Sequence, residues 1–206
     1  MPAKKYRHLL TVHTGPMKAA KTLHLIQAYL HAQASRRTVQ AFRPSVDTRH
    51  ADPIICTRFG NVCIPASLVG SGADILAALK PETTLVLVDE VQFLESGFPA
   101  TIREVLMQAD VVVSGLDLDF RGLPFGPMAE LLAMADTVHK YTTVCDACGG
   151  LARFSQRLID GKPSRGEEKE VLPEGKQENV SYEARCHKCF QPPRSLTVTK
   201  QRRMKG

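Results

Sequence analysis

Gly15-Pro16-Met17-Lys18-Ala19-Ala20-Lys21-Thr22 is a phosphate-loop pattern with one irregularity: the usual G-x-x-x-x-G-K-[ST] has alanine, Ala20, in place of its second glycine. Such a loop works because backbone N–H groups and a helix N-terminus face phosphate oxygens, while a lysine supplies charge and a hydroxyl reaches Mg2+. Lys21 and Thr22 fill those last two roles. Glycine suits the loop's unusual dihedrals, so a methyl at Ala20 costs about 1–2 kcal/mol if that position requires positive φ. The degenerate pattern alone is a weak signal. Its place between a strand and a helix makes it a functional one.

Working outward, residues 8–13 form a short apolar, β-branched run that ends at the loop, which predicts a first strand. Leu23, Leu25, Ile26 and Leu30 then recur at helical spacing, with no Gly or Pro until Pro44, and predict a helix of about three to four turns. Alternation continues: strands over 38–42, 61–65, 83–88, 111–113 and 138–144, and helices over 73–79, after Pro99, and over 127–135. The run 83–88 is apolar on successive residues, as a strand of a parallel sheet covered on both faces must be. This order predicts an α/β fold of the P-loop NTPase kind: a mainly parallel sheet flanked by helices, with ligands at the carboxyl ends of its strands.

At 206 residues and 43% hydrophobic, the chain accommodates one such domain and a small appendage. The expected division is 1–144 for the α/β domain, 145–192 for a zinc-bound unit and 193–206 for a basic tail. No apolar run approaches the roughly 20 residues that span a bilayer, and the chain opens without a signal-peptide core, so a cytoplasmic, non-membrane protein is expected. The net charge of +6 suits a polyanionic partner, yet much of it lies in Lys4, Lys5 and Arg7 and in Lys200, Arg202, Arg203 and Lys205 at the ends. Charged ends read as solvated tails, and nucleic-acid binding is the lesser reading.

Asp89 and Glu90 close the strand at 83–88, beside the expected position of the phosphate loop. One carboxylate can serve Mg2+ and the other can accept a proton from an attacking hydroxyl; the bland alternative is that acidic residues merely mark the strand's end. Cys145-x-x-Cys148 and Cys186-x-x-Cys189 supply four thiolates in two short-bite pairs, the composition of a closed structural Zn2+ site with no open position for substrate. The polar stretch 161–179 between the pairs is expected as a long loop stapled at its base. Cys56 and Cys63 are expected as plain half-buried thiols.

In order along the chain stand Gly15-Pro16-Met17 with Lys21-Thr22, the segment 42–49 (Phe-Arg-Pro-Ser-Val-Asp-Thr-Arg), Asp89-Glu90-Val91-Gln92-Phe93, Gly115-Leu116-Asp117-Leu118-Asp119-Phe120, Pro124-Phe125-Gly126 and the Cys pairs. In this series the chain resembles the zinc-containing thymidine kinases of vertebrate cytosol and many bacteria, over nearly its whole length. The resemblance implies transfer of the ATP γ-phosphate to the 5′-hydroxyl of thymidine, in nucleotide salvage for DNA synthesis, by a homotetramer. It implies Glu90 as the base and Arg49 as the residue that steadies the phosphoryl group. Gly15, Pro16, Met17, Lys18, Ala19, Ala20, Lys21 and Thr22 would surround the nucleotide phosphates, Asp89 would hold Mg2+ through water, and Asp47 would support the metal or Arg49. The nucleoside would lie among Met17, Phe93, Leu116, Phe120, Phe125, Ser155 and Tyr182, under a lasso formed by the segment between the Cys pairs. For Phe93, Phe120 and Phe125 the residues alone would be read as ordinary core packing, and Tyr182 could equally be a surface aromatic.

The chain departs from the family at four places. Ala19-Ala20 replaces Ser-Gly, Thr57-Arg58 replaces Ser-His, Gln177-Glu178 replaces a glycine pair of the lasso, and His187 replaces an arginine after the third cysteine. These changes keep open a second reading, a protein on the same scaffold that binds nucleotide or nucleoside in a regulatory role. A zinc-bearing nucleic-acid ATPase is a third, supported only by the basic tail.

Overall fold

The computed structural model describes residues 8–47, 52–57, 60, 62–164 and 179–193. Its first part runs β1 (Leu10–Thr14), α1 (Lys21–Ala34), β2 (Val39–Pro44), β3 (Ile54–Cys56), β4 (Cys63–Pro65), β5 (Ser67–Val69), α2 (Gly72–Ala78), β6 (Leu85–Val88), a 3-10 turn (Val91–Phe93), α3 (Phe98–Val105), β7 (Asp110–Gly115), α4 (Met128–Met134) and β8 (Thr137–Lys140). Six of these strands make one sheet in the order β5-β2-β6-β7-β1-β8, and every pairing in it is parallel.

Side chains alternate across a strand, so each inner strand feeds two cores. On one face Leu10, Val12, Val86, Val88, Val111 and Val113 pack with Ile75 of α2, Phe98, Ile102 and Val105 of α3, and Met128 and Leu131 of α4. On the other, Leu85 and Leu87 pack with Leu25 and Ile26 of α1 and with Ile55 and Ile64 of the β3–β4 hairpin. This is why β6 is apolar at all of its positions: Leu-Val-Leu-Val is buried on both sides.

The expected strand over 138–144 is two strands. β8 extends the main sheet beside β1, whereas β9 (Thr143–Val144) turns away and pairs antiparallel with β10 (Leu151–Ala152). Beyond it, β11 (Phe154–Ile159) lies between β12 (Lys162–Pro163) and β13 (Val180–Arg185), antiparallel to both. Among the described residues, the packed centre around the cysteines is Cys145, Ala152, Ala184 and Cys186, with Cys189 against it, and Leu158 and Val180 are buried in the three-stranded sheet beside it. So small an apolar cluster cannot hold a unit together without a further staple. Most of the loop expected over 161–179 lies outside the described residues.

The expectation of free thiols at Cys56 and Cys63 is overturned. The antiparallel β3–β4 register sets the two residues directly opposite each other, with Cα atoms 4.1 Å apart, and they are joined by a disulfide. Among the described residues no helix is long and apolar enough to cross a membrane.

Candidate phosphate-loop site and cysteine cluster

The phosphate loop leaves β1 in a backbone that few side chains adopt readily: Gly15, Lys18 and Ala20 all have positive φ, at 137°, 65° and 58°. Gly15 is also irreplaceable on space, because a Cβ there would lie 2.5 Å from the Tyr141 carbonyl oxygen. Ala20 caps α1 in the left-handed region, the conformation for which glycine is the favoured residue. Pro16 and Ala19 are buried and Met17 half-buried; the Met17 N–H donates to Ser155 Oγ at 2.9 Å, so the loop rests on β11. Lys21 is buried and donates to the Pro16 carbonyl oxygen at 2.7 Å, folding its ammonium into the loop it serves.

Thr22 Oγ1 lies 3.1 Å from Asp89 Oδ2. β7 runs between β1 and β6, and its Ser114 bridges the gap by donating to Asp89 Oδ1, so one carboxylate is tied to both sides of the sheet's carboxyl end. Glu90 follows in the left-handed region at φ 53°, and accepts from Gln92 Nε2 at 2.5 Å. Gln92 Oε1 in turn accepts the Leu116 N–H at 3.0 Å. This amide therefore joins the carboxylate at 90 to the segment that follows β7. A non-glycine residue held at positive φ next to such a network is backbone strain placed at a candidate site.

Asp47 is buried beside Arg43, whose guanidinium donates to the Asp47 carbonyl oxygen at 2.5 Å and stands 3.4 Å from its carboxylate. Arg49 lies outside the described residues. Among the aromatic candidates, Phe93 meets Phe125 edge to face at 5.6 Å. Gly126 permits this turn, since a Cβ there would lie 2.3 Å from the Gln92 carbonyl oxygen. Phe120 is buried beneath the guanidinium of Arg157, 3.6 Å from its ring centre, and Arg157 Nε donates to Tyr182 OH at 3.0 Å. Phe120 of the large unit and Tyr182 of the small one are thus joined through a cation.

Sequence reasoning gave no role to Gln92, Ser114, Arg157 or Arg43. Gln92 and Arg43 stand inside motifs already singled out, so a signal existed for them. Ser114 and Arg157 depend on strand register and on the packing of two units, which no local pattern encodes.

His13, buried at the end of β1, stacks with His139 at 4.9 Å and with His24 at 5.7 Å, and its Nδ1 is 2.8 Å from Tyr141 OH. Burial first, and then the charges of His139 and His24, lower its pKa from 6.5 to about 4. His13 itself is therefore neutral at pH 7.

The Sγ atoms of Cys145, Cys148, Cys186 and Cys189 all lie within 4.8 Å of one another, with Cys148 and Cys186 at 3.6 Å. A tetrahedral Zn–S4 centre with bonds of about 2.3 Å has sulfurs roughly 3.8 Å apart, so the donor set fits zinc in type and spacing. Burial pushes the Cys145 thiol up, but backbone N–H groups of Cys186, Ala147 and Cys148 outweigh it and bring the pKa down to about 6. Cys145 and Cys186 are both shifted toward thiolate, the form a metal binds, whereas side-chain hydrogen bonds with Cys148 and Cys186 push the Cys189 thiol up to about 12.

Fold and site together define a phosphate-loop α/β protein whose loop rests on a tetracysteine unit. The family model described as Thymidine kinase matches residues 8–190, and the chain belongs to that family. It is 42% identical over 177 residues to the "Thymidine kinase" of Aster yellows witches'-broom phytoplasma (strain AYWB), an alignment covering 84% of this chain and 82% of the relative. It is 41% identical over 175 residues to the "Thymidine kinase" of Onion yellows phytoplasma (strain OY-M), with the same coverage of both chains.

Proposed function

We propose that this protein transfers the γ-phosphate of ATP to the 5′-hydroxyl of thymidine. The observation that carries the reading is the meeting of Thr22 and Asp89 at 3.1 Å, with Glu90 next in the chain. A phosphate-loop hydroxyl and two carboxylates share one end of the sheet, the parts that phosphoryl transfer requires. The reaction named for the two relatives agrees with it.

In this reading backbone N–H groups of 15–22 and the ammonium of Lys21 receive the phosphates, Lys21 exchanging the Pro16 carbonyl for a phosphate oxygen. Thr22 and Asp89 are the residues that would hold Mg2+, which when bound offsets charge on the phosphate oxygens. Glu90 takes the proton of the 5′-hydroxyl, and Gln92 holds its carboxylate in place. Arg49 steadies the transferred group, and Asp47 with Arg43 fixes the start of the segment that carries it. Met17, Phe93, Leu116, Phe120, Phe125, Ser155 and Tyr182 enclose the nucleoside. The units 1–144 and 145–192 and a homotetrameric assembly belong to the same proposal.

The test is ATP-dependent phosphorylation of thymidine and the other deoxyribonucleosides by zinc-loaded protein with Mg2+. Thymidine monophosphate above a Glu90→Gln control supports the reading. One observation favours a second reading, a scaffold that binds without transfer: Ala20 occupies a left-handed position where glycine is favoured. Absence of product with every nucleoside, from folded, zinc-holding protein that still binds ATP or a nucleoside in titration, would support that reading instead.

A further inference from the structure

The β3–β4 hairpin holds two cysteines, Cys56 and Cys63, that lie outside the tetracysteine cluster. Alternation along its strands separates two cross-strand pairs. Ile55 and Ile64 face inward, each 2% exposed, against Leu25 and Ile26 of α1, whereas Cys56 and Cys63 face outward, one half-buried and the other exposed. Their disulfide therefore lies on the solvent side of the hairpin, within reach of exchange reagents, not in the core. The other four cysteines form no disulfide and gather in the cluster whose sulfurs could hold a metal ion.

The bond has mechanical leverage. Each strand is three residues long, and the pair forms a two-stranded sheet separate from the main one. A lone two-stranded hairpin is at best marginally stable in water, so a covalent closure at its last paired position matters. The hairpin is one wall of α1, and α1 opens with Lys21 and Thr22 of the phosphate loop.

We propose that Cys56 and Cys63 are a reversible oxidation site, closed by a low-molecular-weight disulfide and opened by a dithiol, whose state sets how firmly the hairpin holds α1. In closing, the exposed Cys63 thiolate attacks one sulfur of the small disulfide and releases the other half as a thiol. The Cys56 thiolate then attacks the Cys63 sulfur of that mixed disulfide and releases the second thiol. The protein gives up two electrons and two protons, and the small disulfide leaves as two thiols. A dithiol reverses both steps and is itself oxidised to a disulfide. An effect on nucleotide affinity rests on the phosphate-loop reading above; the redox chemistry and the hold on α1 do not.

The test equilibrates the zinc-loaded chain with mixtures of reduced and oxidised glutathione, alkylates it and maps the labelled peptides by mass spectrometry. A chromogenic chelator follows zinc in parallel, and hydrogen exchange follows the amides at the start of α1. Expected is one two-electron transition in which Cys56 and Cys63 lose label together while zinc stays bound. The oxidised form should exchange the α1 amides at least about threefold more slowly, a difference absent in the Cys56→Ser/Cys63→Ser double variant. Label on both residues at every ratio, a bond that no dithiol opens in the folded protein, or equal α1 exchange in the two forms would each overturn the proposal. An exchange difference without nucleotide binding in either form would count against the phosphate-loop reading alone.

Discussion

Lys18 Nζ, in the phosphate loop, lies 2.8 Å from Asp146 Oδ2, between the first two cysteines of the metal cluster. The ion pair joins the two units at the point where nucleotide phosphates are expected. Both side chains are about a third exposed, 37% and 33%, so the pair itself should contribute only about 0.2–1 kcal/mol. Asp146 has a second duty, because its carboxylate also accepts the Ala184 N–H at 2.6 Å. Asp146→Ala should therefore cost about 1–3 kcal/mol, clearly more than Lys18→Ala, since it leaves a backbone donor of β13 without its acceptor. Urea unfolding of both single variants and the double variant measures the difference. Equal costs would mean that the ion pair, not the backbone contact, is what Asp146 provides.

Glu90→Gln should lower kcat for nucleoside phosphorylation by about 10²–10⁴-fold while leaving ATP affinity within a factor of about two. Gln92→Ala acts through the carboxylate it orients and through Leu116. It should lower kcat less and raise KM for the nucleoside as well, because Leu116 loses the side chain that accepts its N–H. An unaltered kcat in Glu90→Gln would remove the assigned base.

Ala20→Gly places glycine at a left-handed position, φ 58°. Relief of the Cβ penalty should stabilise the loop conformation by about 1 kcal/mol and tighten ATP binding up to about fivefold. Isothermal titration with ATP and Mg2+ reads this directly. No change would show that the loop's affinity is limited elsewhere.

The site was legible where chemistry follows from adjacency in the chain. Lys21 and Thr22 adjoin a glycine loop between a strand and a helix, and Leu85–Val88 announces a strand buried on both faces by being apolar throughout. Strands β3 and β5 are too short to show a period. β11 and β13 were missed for a different reason: polar residues buried there are paired with partners distant in sequence. Gln156 exchanges hydrogen bonds with the backbone of Gln191, and Arg157 lies between Phe120 and Tyr182, contacts that no local pattern carries. The Cys56–Cys63 bond was hidden because a separation of seven residues does not reveal that two cysteines face each other across a hairpin.

Stability should fall on acidification because of His13. Its pKa is about 4 in the fold and 6.5 in the unfolded chain, so between these values the unfolded state takes a proton that the fold refuses. Unfolding is then favoured as pH drops below 6.5, by up to about 3 kcal/mol near pH 4. The groups facing His13 are His24, His139 and Tyr141, and the first two add to the effect through their own positive charge when protonated. His13→Gln should flatten this part of the pH–stability curve. A slope between pH 6.5 and 4 that is unchanged in the variant would assign the acid sensitivity to other groups.

Removal of zinc should act first on the small unit and then on the loop. Among the described residues, Cys145, Ala152, Ala184 and Cys186 form the buried cluster around the sulfurs, and with the buried Leu158 and Val180 of β11 and β13 they offer little apolar surface to hold β9–β13 in register. Ser155 of β11 and Asp146 carry the contacts to Met17 and Lys18, so loss of that register removes two supports of the phosphate loop at once. Cys186→Ser, or a strong chelator, should therefore expose the amides of 151–159 to fast hydrogen exchange, and protection at 15–20 should fall with them. The main sheet, whose two cores contain none of these residues, should keep its protection. If the loop stayed protected while β11 opened, it would be held by α1 and Tyr141 alone, and the tetracysteine unit would have no part in shaping it.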